Sequence, residues 1–222
     1  GLKKAHKLTD DGVGLVVVMP HVSASDPFWV ADSLTKDWRY RSTPLSGPIR
    51  EDRLGFGLST LTSSIGIDLN PVVTPYQYAE RNSRRTAREK ARHKAQKDKK
   101  KKKSVDAVRA GGVIVVTYNG HRDATLRRPS ERMGGAAGNL VSTLLTHSIK
   151  EFGVHFAAVE IPEENDYSRR RGLNIGSKYR VLHGNTYDSR EFLTLSGLSL
   201  QEISEKKTRN TRVMDEVIYE EL

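Results

Sequence analysis

The chain contains no cysteine, which excludes a disulfide framework and thiolate zinc sites and fits a reducing compartment. Long apolar runs are also missing. The longest, residues 13–19, falls far short of the roughly 20 residues that a membrane-spanning helix needs. No leader of charged, then apolar, then small residues opens the sequence. Secretion is therefore not expected, and cytoplasm, nucleus, mitochondrial matrix or a viral particle are the expected locations. Aromatic residues are sparse, and none lies between 81 and 103, which removes base stacking from that segment.

What the chain does have is length and positive charge. At 222 residues with 36% hydrophobic residues, it can bury a real core. Its 37 Lys and Arg against 27 Asp and Glu leave a net charge of +10, which favours polyanionic partners. The charge is not spread evenly. Residues 81–103 hold thirteen bases and two acids, Glu89 and Asp98, for a net +11, and the rest of the chain carries 24 bases against 25 acids.

That segment, with Arg81, Arg84, Arg85, Arg88, Lys90, Arg92, Lys94, Lys97, Lys99, Lys100, Lys101, Lys102 and Lys103, is the expected nucleic-acid-binding element. Its composition through about Lys97 tolerates a helix. The run of five lysines that follows repels itself, which predicts a mobile stretch in the free protein. A solvated linker is the plainer alternative. A membrane-surface helix would need an apolar face, and this segment has none, so no membrane partner is expected. Arg169, Arg170 and Arg171 form a smaller basic cluster that would add to the same surface.

Around this arm, strand and helix patterns alternate and predict an α/β or α+β domain. A strand is expected at 13–19, followed by loops to about residue 60. Short strands are expected at 64–70 and 72–79, the second against the first as a hairpin, although Pro71 and Pro75 argue against a central position. Another buried strand is expected at 112–118. Leu140, Val141, Leu144, Leu145, Ile149 and Phe152 recur at helical spacing, predicting a helix over 137–152 with Gly153 as its stop and Thr143 facing outward. Residues 154–161 resume as a strand. The expected core is Val113, Ile114, Val115, Leu140, Leu144, Ile149, Phe156 and Val159. Residues 189–222 have the outline of a helix-turn-helix, but the turn glycine is absent and the second helix is acidic, so two packing helices are the preferred reading. This divides the chain into an N-terminal extension, 1–60, and a domain, 61–222, with 81–103 inserted.

Asp68 in Ile-Gly-Ile-Asp-Leu-Asn and Glu160 in Ala-Val-Glu-Ile-Pro end or interrupt apolar strands. A carboxylate there is costly unless it faces solvent, a partner or a metal. On neighbouring strands the two could share Mg²⁺, and a pair of ions about 3.5–4 Å apart would activate water for phosphodiester cleavage. The plainer readings are a turn residue for Asp68 and a surface acid for Glu160.

The order of these elements resembles the RuvC-like branch of the ribonuclease H-like nucleases. The resemblance covers roughly residues 64–222. It rests on the Ile-Gly-Ile-Asp strand, the second and third strands, the helix, and Glu160 at the end of the fourth strand, with Asn165, Tyr167, Ser168 and Gly172 in the loop beyond. It implies a ribonuclease H-like mixed sheet with flanking helices, Mg²⁺ as cofactor, metal-dependent cutting of DNA or RNA, and Asp68, Glu160 and Asp215 as catalytic metal ligands. The family's terminal Asp-rich helix is represented here by Asp215 alone. The competing expectation is a non-enzymatic packaging or ribonucleoprotein component, such as a capsid, nucleocapsid or ribosome-associated protein, which would form homo-oligomers and need no metal.

Two further patterns have plainer structural readings. Arg132-Met-Gly-Gly-Ala-Ala-Gly-Asn precedes a helix as a phosphate loop does, but it lacks the P-loop Lys-Ser/Thr, so flexibility at the helix start is preferred. His155 lies inside an apolar strand and reads as a core histidine rather than a metal ligand.

Overall fold

The computed structural model describes residues 1–20, 29–30, 33, 45–50, 67–72, 86–118, 128–129, 135–147, 151–160, 179–205 and 208–222, with backbone alone for 45–50 and 67–72. Among the described residues twelve elements are assigned: α1 (Leu2–Asp10), β1 (Leu15–Met19), β2 (Leu45–Arg50), β3 (Ile67–Val72), α2 (Ala87–Arg109), β4 (Val113–Thr117), α3 (Ala136–Thr146), β5 (Gly153–Glu160), β6 (Arg180–Asp188), α4 (Ser189–Ser196), α5 (Leu200–Ser204) and α6 (Thr208–Glu221). The strands make one mixed sheet in the order β3-β2-β4-β1-β5-β6. All neighbours run parallel except β6, which is antiparallel to β5.

Continuous apolar runs such as Leu-Val-Val-Val-Met in β1 and Val-Ile-Val-Val-Thr in β4 are buried throughout, as strands covered on both faces must be. Their side chains alternate between two clusters. Val16, Val18, Ile114, Val116, Val154 and Phe156 face α2, α3 and α6. Leu15, Val17, Met19, Val113, Val115 and Ala157 face the opposite way, together with Ala5 of α1 and Val30.

Several expectations hold and several are corrected. Val113, Ile114, Val115, Leu144 and Phe156 are buried, Leu140 and Val159 are partly so, and Ile149 is outside the described residues. The predicted helix ends at Thr146, and Gly153 opens β5 instead of stopping a helix. Thr143 is buried, not outward, because α3 lies between the sheet and α6; its hydroxyl donates to the Asn139 carbonyl at 2.6 Å. The break expected between 64–70 and 72–79 is absent, since one strand runs through Ile67–Val72, and residues 73–79 lie outside the described residues. Instead β3 runs as an edge strand parallel to β2, where Pro71 removes least from the ladder.

The largest correction concerns residues 1–60. β1 pairs with both β4 and β5, so this region supplies the centre of the sheet and is no extension. At the other end, α4 and α5 begin with capping boxes, Asp188 with Glu191 and Ser199 with Glu202. Phe192, Ile203, Met214 and Ile218 bury these helices and α6 against the sheet and α3. They are packing helices, as preferred. No described helix is long and apolar enough to cross a membrane.

Candidate nucleic-acid interface and the carboxyl edge of the sheet

α2 runs unbroken for 23 residues through the five-lysine stretch. The expected mobile tail is helical because the chain beyond it is anchored: Val105 and Val108 are buried in the core. Left-handed Gly111 then closes the helix, its N–H donating to Val108 and that of Gly112 to Ala107, a terminus that glycine favours. Arg88, Lys90, Lys94, Lys99, Lys102, Lys103 and Arg109 are exposed along its length. Lys101 is half-buried. Arg81, Arg84, Arg85, Arg169, Arg170 and Arg171 lie outside the described residues, as do the side chains of Arg92, Lys97 and Lys100.

Because three residues join α2 to the start of β4, and Val105 and Val108 lie on the sheet, the helix runs back antiparallel to β4. It is roughly 34 Å long against roughly 16 Å for the strand. Its first turns therefore pass beyond the carboxyl ends of the parallel strands.

The three expected metal ligands do not come together. Asp68 sits in β3 and Glu160 at the end of β5, with β2, β4 and β1 between them. Four strand spacings separate the two by about 19 Å, too far for a shared ion pair. Glu160 is exposed and faces Arg180 of β6, Oε2 to Nη1 3.5 Å, which fits the reading of a strand-end surface acid. Among the described residues no three His, Asp or Glu side chains group to hold a metal ion.

Asp215 has a different task. It is 4% exposed, and its Oδ1 accepts from the backbone N–H of Gly138 at 3.1 Å. The N-cap of α3 is Gly135, which has no capping side chain, so Asp215 reaches across from α6 and caps α3 in its place. A Cβ at Gly135 or Gly138 would overlap the Asp215 carboxylate. Gly135 and Gly138 thus make room for an internal carboxyl group where a phosphate loop would hold an external anion. No sequence pattern signals this, since the partners are 77 residues apart.

Sequence reasoning also missed the edge where the parallel strands end. β4 is followed by α3 on one face before the chain reaches β5, whereas β1 leads toward β2 through Val30, which packs on the other face. Adjacent strands whose connections leave in opposite directions form a topological switch point, and open α/β sheets hold ligands in that crevice. Here it lies between β1 and β4. Tyr118, fully buried, closes the end of β4, and its ring lies 6.3 Å from that of Tyr219, over which Arg128 is placed at 5.6 Å. The segments leaving these strand ends, 21–28, 119–127 and 161–178, are outside the described residues.

A second polar group stands on the α1 face. His155 is fully buried and His183 half-buried, their rings stacked 5.3 Å apart. Burial, reinforced by the charge on His183, lowers the His155 pKa to about 3. Burial first, and His6 second, lower that of His183 as well. Both rings are therefore neutral at pH 7, in keeping with a core role for His155. Compared with protein-family models and with curated proteins, the chain matches none.

Proposed function

We propose that the protein binds nucleic acid along α2. One observation carries the reading: seven Lys and Arg side chains stand exposed on a single helix whose far end is fixed in the core. Such an array matches a phosphate backbone, and the absence of aromatic residues makes sequence preference unexpected. Binding of a labelled 20-mer, DNA or RNA, is measured across a salt series with the parent and with Arg88, Lys90, Lys94, Lys99, Lys102 and Lys103 changed to Gln. The parent's salt slope should fall by up to about 0.9 for each duplex phosphate that is no longer neutralised. An unchanged slope and affinity would remove α2 from the interface.

A catalytic reading has the switch point between β1 and β4 in its favour. The chain leaving β1 carries His21 and Asp26, and the chain leaving β4 carries His121, Arg122, Asp123 and Arg127. A neutral imidazole whose tautomer a carboxylate fixes is suited to take a proton from a hydroxyl, and guanidinium groups suit a phosphate. On this reading an acyl or phosphoryl group passes from a thioester or a nucleoside triphosphate to the hydroxyl of an anionic substrate, His21 taking the hydroxyl proton while the thiol or nucleoside diphosphate leaves, and Asp26 is the candidate carboxylate partner. Acyl-thioester and nucleoside-triphosphate donors, each with a phosphorylated alcohol as acceptor, test it. Turnover should vanish in His21→Ala and persist in the α2 variant; turnover that survives His21→Ala places the chemistry elsewhere.

The RuvC-like, Mg²⁺-dependent nuclease has only chain order in its support, since the sheet separates Asp68 from Glu160 and Asp215 is committed to α3. A metal-dependent cut of DNA or RNA that is lost in Asp68→Asn and Glu160→Gln would restore it. The packaging alternative differs from both in requiring binding without turnover.

A further inference from the structure

A continuous hydrogen-bonded chain crosses the α1 face of the sheet. Ser33 Oγ lies 3.2 Å from His183 Nε2, His183 Nδ1 lies 3.0 Å from His155 Nε2, and His155 Nδ1 lies 2.8 Å from Thr186 Oγ1. Thr186 in turn donates to the Gly1 carbonyl at 2.8 Å. That last oxygen can only accept, and this fixes the polarity of everything behind it. Thr186 spends its proton on Gly1, so it accepts from His155 Nδ1–H. His155 then offers the lone pair of Nε2 to His183 Nδ1–H, and His183 offers its own Nε2 lone pair to the Ser33 hydroxyl. Every link is satisfied only while His155 is neutral.

We infer that this chain is an acid-sensitive latch, which holds α1 and the helical residue Ser33 on the β5–β6 end of the sheet at neutral pH and releases them as protons are taken up. The first proton enters at His183 Nε2, and the Ser33 hydroxyl can turn to accept from it. The second must go to His155 Nε2, which would set two N–H groups against each other across 3.0 Å. Among the described residues the backbone of Asn185 favours a charged His155, but burial and the neighbouring charges outweigh it. From α1 the charge acting on the pair is that of His6 when protonated. From β6 there is His183 itself, from β5 His155, and from the Ser33 residue only a hydroxyl. The ion pair of Lys4 with Glu191 fastens α1 to α4 and neutralises its own carboxylate.

The direction of the pH effect follows. Both folded-state pKa values lie below the ordinary 6.5, so the closed state binds fewer protons than the open one. The latch is at full strength above about pH 6.5 and weakens as pH falls toward about 3, where His155 titrates. Each pH unit in that window favours opening by about tenfold for every imidazole that gains a proton on release. Opening uncovers Leu15, Val17 and Met19 and leaves the cluster on the other face closed.

Hydrogen exchange of the full chain between pH 7 and 4.5, corrected for intrinsic rates, tests this. Amides of α1 should lose about 100-fold in protection between pH 6.5 and 4.5 while those of α3 and β4 do not change. His155→Gln and His183→Gln should flatten the response. If either fails to fold, the imidazole nitrogen spectrum of the parent decides: both rings neutral and protonated on Nδ1 at pH 7, with no titration near 6.5. Constant α1 protection, or two rings titrating in the ordinary range, would overturn the latch.

Discussion

The two faces of the sheet are sealed by different means. On the α3 and α6 side, Phe152, Phe156, Leu144, Met214 and Ile218 fill the interior, and the buried Asp215 is consumed in capping a helix. On the α1 side the packed side chains among the described residues are mostly smaller, Val, Ala and Leu, and the gap toward β6 is bridged by hydroxyls and imidazoles. Apolar bulk does not titrate and hydrogen-bonded imidazoles do. The thick face is therefore the permanent core, and the thin face holds through contacts that solution conditions can alter.

The widest separation between the faces should come from Leu144→Ala, which empties a fully buried site and should cost about 2–5 kcal/mol in denaturant unfolding. A loss below about 1 kcal/mol would mean that α3 is loosely packed, and the contrast would collapse. Next is Asp215→Ala, which leaves the Gly138 N–H buried without its cap and should cost about 1.5–3 kcal/mol. The loss should appear as faster amide exchange at the start of α3, a local signature that a metal ligand would not give. The smallest effect is expected from Thr186→Val, at about 1–2 kcal/mol, because one hydroxyl is removed from a chain that keeps its imidazole pair. It should expose the α1 amides and spare α3. Equal exposure on both sides would show that the faces unfold as one unit.

Local chemistry explains what the sequence made legible. β1, β4 and β5 are short apolar runs that cannot be anything but buried, and the repeat of Leu140, Val141, Leu144 and Leu145 announces α3. The arm announced itself by charge. What stayed hidden depends on partners distant in the chain. Nothing near Asp215 says that it caps a helix 77 residues away, nothing near residue 15 says that β1 is the central strand, and nothing in Ile-Gly-Ile-Asp distinguishes an edge strand from a catalytic one. α1 was missed because only Ala5 of its nine residues is fully buried, too faint an apolar stripe to register. Asp68 and Glu160 matched a known order along the chain, but order does not fix which strands are neighbours.

The central place of β1 also bears on how the chain reaches this state. Leu15 pairs with Val113 and with Gly153, partners 98 and 138 residues away. Once made, this strand must wait for 98 further residues before it finds either neighbour, and pairings of such high contact order form slowly. Until then β1 is an exposed apolar segment, Leu-Val-Val-Val-Met, of the kind that seeks strangers. During synthesis, the strand that ends up best protected spends the longest time without protection.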